Sequence, residues 1–345
     1  MNTYEPYKRL QRRRHPERFS SLQMGSLTNP EKLAIYVVFQ PTGLSNSTFE
    51  TMRHLSANGY AVFLVSNAKL QHEDVSKALR HCWKIMERQN FGYDFGGYQD
   101  AIRHIWASSV HPQALVIIND SIWFPLRQDS EILQQMEATP SPFTGAFQLD
   151  PSRKKNPIKK KRPFMGSFFW HFKAAALRDP AFRSFWNNYK ATSSKHATIR
   201  RGERRFTHHM LDGGVRCEAI YSRQMFDDWI CKLESTELHH ALKDLCTPDR
   251  KLQLAQHDLI NSDVLTQDWK DRALNLARKI TQSQNIMATA PIFMVRNQRL
   301  PFFKKTIDAN NALALNRLLE LARQEPKAIE NLPVLNEILE KTSQN

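Results

Sequence analysis

No C-x-x-C pair occurs among the four cysteines, Cys82, Cys217, Cys231 and Cys246. Their scatter removes the usual signal for a zinc site or a dithiol redox motif. Four separated thiols in 345 residues fit a reducing cytosol better than a disulfide framework. The N-terminal stretch has no apolar h-region, so no signal peptide is expected. The longest apolar runs are strand-sized, far short of a membrane span. A protein that is soluble, or at most lies on a membrane, is therefore expected. No internal repeat is evident.

What is present in excess is positive charge: the formal net charge is +15, with a sequence pI near 9.7. That favours polyanionic neighbours, whether nucleic acid, an anionic membrane surface or phosphorylated substrates. Residues 1–30 carry Lys8, Arg9, Arg12, Arg13, Arg14 and Arg18 with little periodicity, and read as a basic flexible arm. A second basic run, Arg153 to Arg162, holds seven basic residues around Pro157 and reads as an exposed loop.

Order is expected from Glu31. Leu33–Phe39, Tyr60–Val65 and Ala114–Ile118 are apolar runs of the length and branched content of strands buried on both faces. Between them the spacing predicts helices over Ser47–Ala57, His72–Met86 and Tyr98–Ser108, with a glycine-rich turn at Asn90–Gly97. This βα alternation is that of a doubly wound α/β domain. Further on, a helix over Asp129–Met136, strands at Phe143–Leu149 and Met165–Phe172, a helix over Asp179–Tyr189, a helix from Glu203 to Leu211 and a strand at Val215–Tyr221 are expected. Beyond Lys232 only helical patterns remain, at 254–283, 307–324 and 334–342. The expected organisation is an arm over 1–30, an α/β domain over 31–231 and a helical C-terminal region over 232–345 packed on it.

In parallel sheets ligands sit outside the carboxyl ends of strands. The run at 114–118 ends abruptly in Asn119-Asp120-Ser121, an amide, a carboxylate and a hydroxyl at that position. The structural alternative is that Asn119 and Ser121 cap a following helix. Four segments stand out together: the N-x-G-x-D-x-G turn at Asn90–Gly96, the Asn119-Asp120-Ser121 strand end with Pro125-Leu126, Gly166-Ser167-Phe168-Phe169 with Phe185-Trp186 downstream, and Arg201-Gly202-Glu203 with Gly214 and then Pro301-Phe302-Phe303-Lys304. In this order and spacing they resemble the rhamnan synthesis protein F family. The resemblance implies sugar transfer from an activated nucleotide donor on a GT-A-like, mostly parallel sheet with helices on both faces.

Such a transferase must hold a diphosphate, stabilise its charge as it leaves and deprotonate an acceptor hydroxyl. A divalent metal, Mg²⁺ or Mn²⁺, or basic groups and helix N-termini can meet the diphosphate. GT-A enzymes usually carry a D-x-D pair near this strand end, whereas this chain offers one carboxylate, so metal dependence is left open. Asp120 is the candidate ligand and His208 a candidate partner. Asn67, Asn90, Asp94, Gly96, Gly97, Asn119, Asp120 and Ser121 are the candidate donor-binding residues, the glycines allowing close approach. Glu203 is the first candidate base and Asp212 the second. Arg200, Arg201, Arg204 and Arg205 would weaken Glu203 as a base but can neutralise a leaving diphosphate in place of a metal.

The function expected is hexosyl transfer, with rhamnose suggested only by the family, to a growing bacterial cell-surface polysaccharide or lipopolysaccharide. The acceptor would be lipid-linked, which suits a basic cytoplasmic protein touching the inner face of the cytoplasmic membrane. Two alternatives are a basic nucleic-acid-binding protein, disfavoured by the lack of an RNP, zinc-finger or helix-turn-helix pattern, and a glycosyltransferase-like scaffold without catalysis.

Overall fold

The apolar runs pair into one mixed sheet. The computed structural model describes residues 20–28, 30–150, 162–262, 266–306 and 308–343. Most of the expected N-terminal arm and nearly all of the 153–162 basic run lie outside the described residues. The chain forms two compact units, one of 1–122, 131–147 and 164–220, the other of 123–130, 148–163 and 221–345.

In the first unit, β2 (Lys32–Val38) is followed by α1 (Asn46–Ala57), β3 (Ala61–Ser66), α2 (His72–Ala78), β4 (Cys82–Arg88), α3 (Tyr93–Ala107) and β5 (Ala114–Asn119). β2 pairs in parallel with β3 on one side and β5 on the other, and β3 pairs in parallel with β4. After the two-residue β6 (Ile122–Trp123) come α4 (Ile132–Ala138), β7 (Phe143–Leu149), β8 (Phe164–Met165) and β9 (Phe169–Lys173). β9 runs antiparallel to both β5 and β7. Among the described residues the sheet has nine strands in the order β1-β4-β3-β2-β5-β9-β7-β10, with β8 beside β7. β1 is Ser20–Met24 and β10 is Cys217–Tyr221. β2, β3 and β5 are buried on both faces save the intermediate Lys32, as continuous apolar runs demand.

Three expectations change. The spacing of Val75, Leu79, Cys82, Trp83 and Met86 suggested one helix to Met86, but that helix stops at Ala78, and Cys82–Arg88 is a strand. Apart from Glu87, every residue of β4 is buried, so its apolar pattern lacks the alternation that marks a strand. The stretch taken as arm contains β1, paired antiparallel with β4. Leu22 and Met24 stay exposed there, so this edge strand is held by ladder bonds and leaves no hydrophobic signature. The predicted strand at Met165–Phe172 is interrupted, with Gly166–Phe168 forming a turn between β8 and β9.

Aromatic rings fill the space on one side of the sheet. Phe95, Trp170, Phe206 and Trp186 form a closed ring of contacts in which each centroid lies within 6 Å of the next. Trp186 belongs to α6 (Pro180–Asn188), which follows the short α5 (Ala174–Arg178); Asp179 caps α6 through the Ala181 amide. Phe206 belongs to α8 (Arg205–Asp212), which continues from α7 (Lys195–Thr198) through a π-turn at Ile199–Arg204. Each ring of this size contributes about 1.5–3 kcal/mol by leaving water. This cluster therefore fixes where α8 and its π-turn sit.

The second unit carries the helical C-terminal region. Its elements are α9 (Arg223–Ile230), α10 (Ser235–Lys243), α11 (Arg250–Ile260), α12 (Gln267–Ser283), α13 (Ile286–Thr289), α14 (Ala309–Gln324) and α15 (Leu332–Ser343). The single helical pattern over 254–283 is two helices, and Trp269 Nε1 of the second donates to Leu259 O of the first at 3.0 Å.

Two histidines of the first unit, His54 and His171, are buried, and both ring nitrogens of His171 lack a hydrogen bond among the described residues. Burial, with help from Arg53, lowers His54 to about 4. At His171 burial outweighs the attraction of Glu137 and gives the same value. Between about pH 6.5 and 4 the unfolded chain binds protons at these sites and the native state does not. Stability therefore falls as pH drops through that window, by on the order of 3 kcal/mol per histidine. Urea titrations at pH 7 and pH 4.5 check this, and His171→Gln should flatten the dependence.

Candidate active site at a strand crossover

β2 is the strand from which the order reverses, with β3 and β4 to one side and β5 to the other. The crevice outside the carboxyl ends of β2 and β5 is a topological switch point, where open α/β sheets bind ligands. Asn119 lies in register with Val37, and Asp120 N donates to Val37 O at 3.1 Å. Asp120 Oδ2 accepts from Phe39 N at 2.9 Å and from Gln40 Nε2 at 3.0 Å. Gln40 is itself clamped by Thr48 and the Ser45 amide. Asp120 is thus held rigidly yet is only partly buried, and its Oδ1 has no hydrogen-bond partner among the described residues.

Asn119 is 3% exposed. Its Nδ2 donates to Asp94 Oδ2 at 2.9 Å and to Tyr98 OH at 3.0 Å. Its Oδ1 accepts from Ser121 N at 3.1 Å and from Ser121 Oγ at 2.6 Å. The side chain is saturated within the protein, so its role is to join β5 to α3. Ser121 caps no helix, since β6 follows it.

The glycine-rich turn differs from expectation in a specific way. Of its three glycines only Gly92, the N-cap of α3, has a positive φ, +85°; Tyr93 beside it shares the left-handed region at +52°, and no side chain caps that helix start. Gly96 and Gly97 lie inside α3. A Cβ on Gly97 would stand 2.9 Å from Val37 Cγ1, and one on Gly96 2.1 Å from Phe91 O. Both are glycine because α3 presses on β2 and on its own entry loop. Asn90 is exposed. Asp94 is brought to the crevice by Asn119.

Asn67, at the end of β3, is 3% exposed and accepts from Arg88 Nη1. Its Nδ2 is buried with no hydrogen-bond partner among the described residues. Arg88, buried at the end of β4, also donates to Asp100 at 2.8 Å and to Phe91 O at 2.6 Å. It ties three segments together, and the sequence reading missed it because it took β4 for the end of a helix.

Glu203, in the π-turn, joins the same network. Its Oε1 accepts from Ser167 N and Ser167 Oγ, both at 3.0 Å. Tyr98 OH donates to Ser167 O at 2.9 Å. Burial, and after it the charges of Asp94, Glu203 and Asp120, hold the Tyr98 hydroxyl well above its ordinary range. The phenol therefore stays protonated as a donor, and its three charged neighbours mark the carboxylates that converge here. Asp212 does not join them. It is exposed at the far end of α8, nine residues and about 13 Å of helix from Glu203. His208 is half-buried on α8, and its neighbour His209 bonds Ser184 Oγ at 2.9 Å.

The donor set does not fit a metal held by the protein alone. Among the described residues no three His, Cys, Asp or Glu side chains are grouped to hold an ion. Asp120 Oδ2 and Asp94 Oδ2 already accept hydrogen bonds.

Tyr98→Phe removes the hydroxyl that serves Asn119 and Ser167. We expect a loss of about 1–3 kcal/mol, because two buried polar groups lose a partner. Gly97→Val should lose at least as much through overpacking against Val37. Urea unfolding measures both.

A family description, Rhamnan synthesis protein F, matches residues 62–246. A protein of Sinorhizobium fredii, uncharacterized protein y4gN, is 33% identical over 190 residues, covering 55% of this chain and 48% of its own length. The chain thus spans about half the length of the curated relative it matches. Among solved structures, core-mannan synthase A of Aspergillus fumigatus in its Mn/GDP form overlays with a TM-score of 0.33 at 10% identity, over 54% of this chain and 70% of that one. The glycosyltransferase GlyE of Streptococcus pneumoniae gives 0.32 at 8% identity, over 81% and 66%. Likeness at that level bears on neither site nor substrate. The family match is different in kind: it covers more than half of the 345 residues, and the chain belongs to the rhamnan synthesis protein F family.

Proposed function

We propose that the chain is a glycosyltransferase of GT-A type that moves a sugar from a nucleotide-sugar to a growing bacterial cell-surface polysaccharide or lipopolysaccharide. The carrying observation is Asp120, fixed by Phe39 N and Gln40 at the crossover of β2 and β5 with one carboxylate oxygen unengaged by described residues. The family points to rhamnose as the sugar and to a lipid-linked acceptor, met at the inner face of the cytoplasmic membrane.

In this reading the donor lies across the carboxyl ends of β2, β3 and β5. Asn67 Nδ2, buried and without a partner among the described residues, offers a hydrogen bond to its ribose or phosphate, because such a group is costly to leave unsatisfied. The uncapped N-terminus of α3 faces its positive end toward the diphosphate. Arg200 and Arg201 are exposed on the π-turn that bears Glu203, and Arg205 is exposed at the start of α8; they supply positive charge as the diphosphate departs. Glu203 takes the acceptor's hydroxyl proton while the acceptor oxygen bonds the anomeric carbon and the bond to the diphosphate breaks. Ser167 holds Glu203 through Oε1, orienting the carboxylate for that transfer.

The test is a panel of nucleotide-sugars in thermal shift and transfer assays, with and without Mn²⁺. A cognate donor at a hundredfold over its Kd should add about 2.7 kcal/mol of stability. Asp120→Asn should abolish transfer with unchanged far-UV circular dichroism, and Glu203→Gln should lower kcat at least a hundredfold while donor affinity holds. Full activity in Asp120→Asn would remove this reading.

A further inference from the structure

A second cavity, of about 340 Å³, opens in the first unit at the opposite end of β5. It starts at Leu115, so roughly 13 Å of strand separates it from Asn119. Ile102 and Ile105 of α3, Leu177 of α5 and Phe182 of α6 form its wall, with Trp106 at the rim. Its size suits a small-molecule site. The lining has an unusual charge pattern: the ionisable side chains in it are Arg178 and His111, both exposed and neither acidic. A third basic group, the Arg183 guanidinium, lies 5.3 Å from the ring of Trp106, itself a lining residue. Asp179, the nearest carboxylate in sequence, is occupied as the cap of α6, accepting from Ala181 N at 2.8 Å.

An apolar well with a purely basic mouth matches a molecule with a long apolar body and one acidic end. A neutral peptide or a sugar would leave the arginines unanswered. A nucleotide with its phosphates at Arg178 would bring its polar base into a well walled by isoleucine, leucine and phenylalanine, where the hydrogen-bonding groups of the base go unmet. We infer that this cavity takes up the alkyl chain of an anionic lipid, with the acidic head group resting against Arg178. The inference goes beyond sugar transfer and needs no donor in the crevice. It gives a basic chain a defined point of attachment to an anionic bilayer, where apolar insertion and charge attraction add.

The test uses the whole chain and cis-parinaric acid, a fatty acid that fluoresces on entering an apolar site, beside the corresponding fatty alcohol. The acid should bind at least tenfold tighter than the alcohol. Arg178→Glu, at an exposed position, should erase that preference, and Ala174→Trp, which fills the cavity, should abolish uptake of both. Sedimentation with phosphatidylcholine vesicles should need added phosphatidylglycerol, weaken with salt and be lost in Arg178→Glu. Equal affinity for acid and alcohol, or undiminished uptake in a natively folded Ala174→Trp, overturns the inference. So does a concentration-dependent dimer that Ala174→Trp abolishes while no lipid binds. Nucleotide-sugar thermal shifts on the same variants report separately on the crevice, and Arg178→Glu should leave them unchanged.

Discussion

The amide of Asn119 is the joint on which the first unit's functional end depends. It gives two hydrogen bonds, to Asp94 and Tyr98, and takes two from Ser121. Every polar site on the side chain is satisfied, and it is almost fully buried. A buried amide in this state is stable only while all its partners remain in place. The carboxyl end of β5, the first turn of α3 and, through Tyr98, the Ser167 turn are consequently held in one geometry. Glu203 enters as the last member, since its carboxylate caps Ser167.

That joint allows Asp94, Asp120 and Glu203 to share a neighbourhood in which Tyr98 feels all three charges. Here each carboxylate is fixed by a neutral donor: Asn119 for Asp94, the Phe39 amide and Gln40 for Asp120, and Ser167 for Glu203. These neutral donors fix where each carboxylate lies. The chain as a whole carries an excess of +15, which favours the approach of anions.

The two ends of β5 are chemically opposed. At Asn119 the strand meets a polar, tightly hydrogen-bonded crevice. At Leu115 it meets an apolar well with a basic rim. A six-residue strand separates the two environments, so changes at one need not disturb the other.

Much of this was legible in the chain itself. Buried parallel strands announce themselves as unbroken apolar runs, and β2, β3 and β5 stand where those runs predicted, with Asn119-Asp120-Ser121 at a carboxyl end. Other features were hidden because their cause is non-local. β4 mimics a helix since burial on both faces erases alternation, and β1 is held by backbone bonds that any sequence can make. Gly96 and Gly97 read as a flexible ligand loop, yet their reason is the closeness of α3 to β2, a distance no local pattern encodes. Arg88 and Tyr98 are ordinary residues in sequence, and Ser167 was noted only as part of a motif; they become parts of one network only when β4, α3 and the β8–β9 turn meet. The sequence by itself determined which segments are buried and which residue types crowd the strand ends, because periodicity and composition are local properties. Which of those residues face each other, and that Asp94, Asp120 and Glu203 converge while Asp212 does not, was decided by the sheet order and the aromatic packing that sets α8, both of them contacts between residues far apart in the chain.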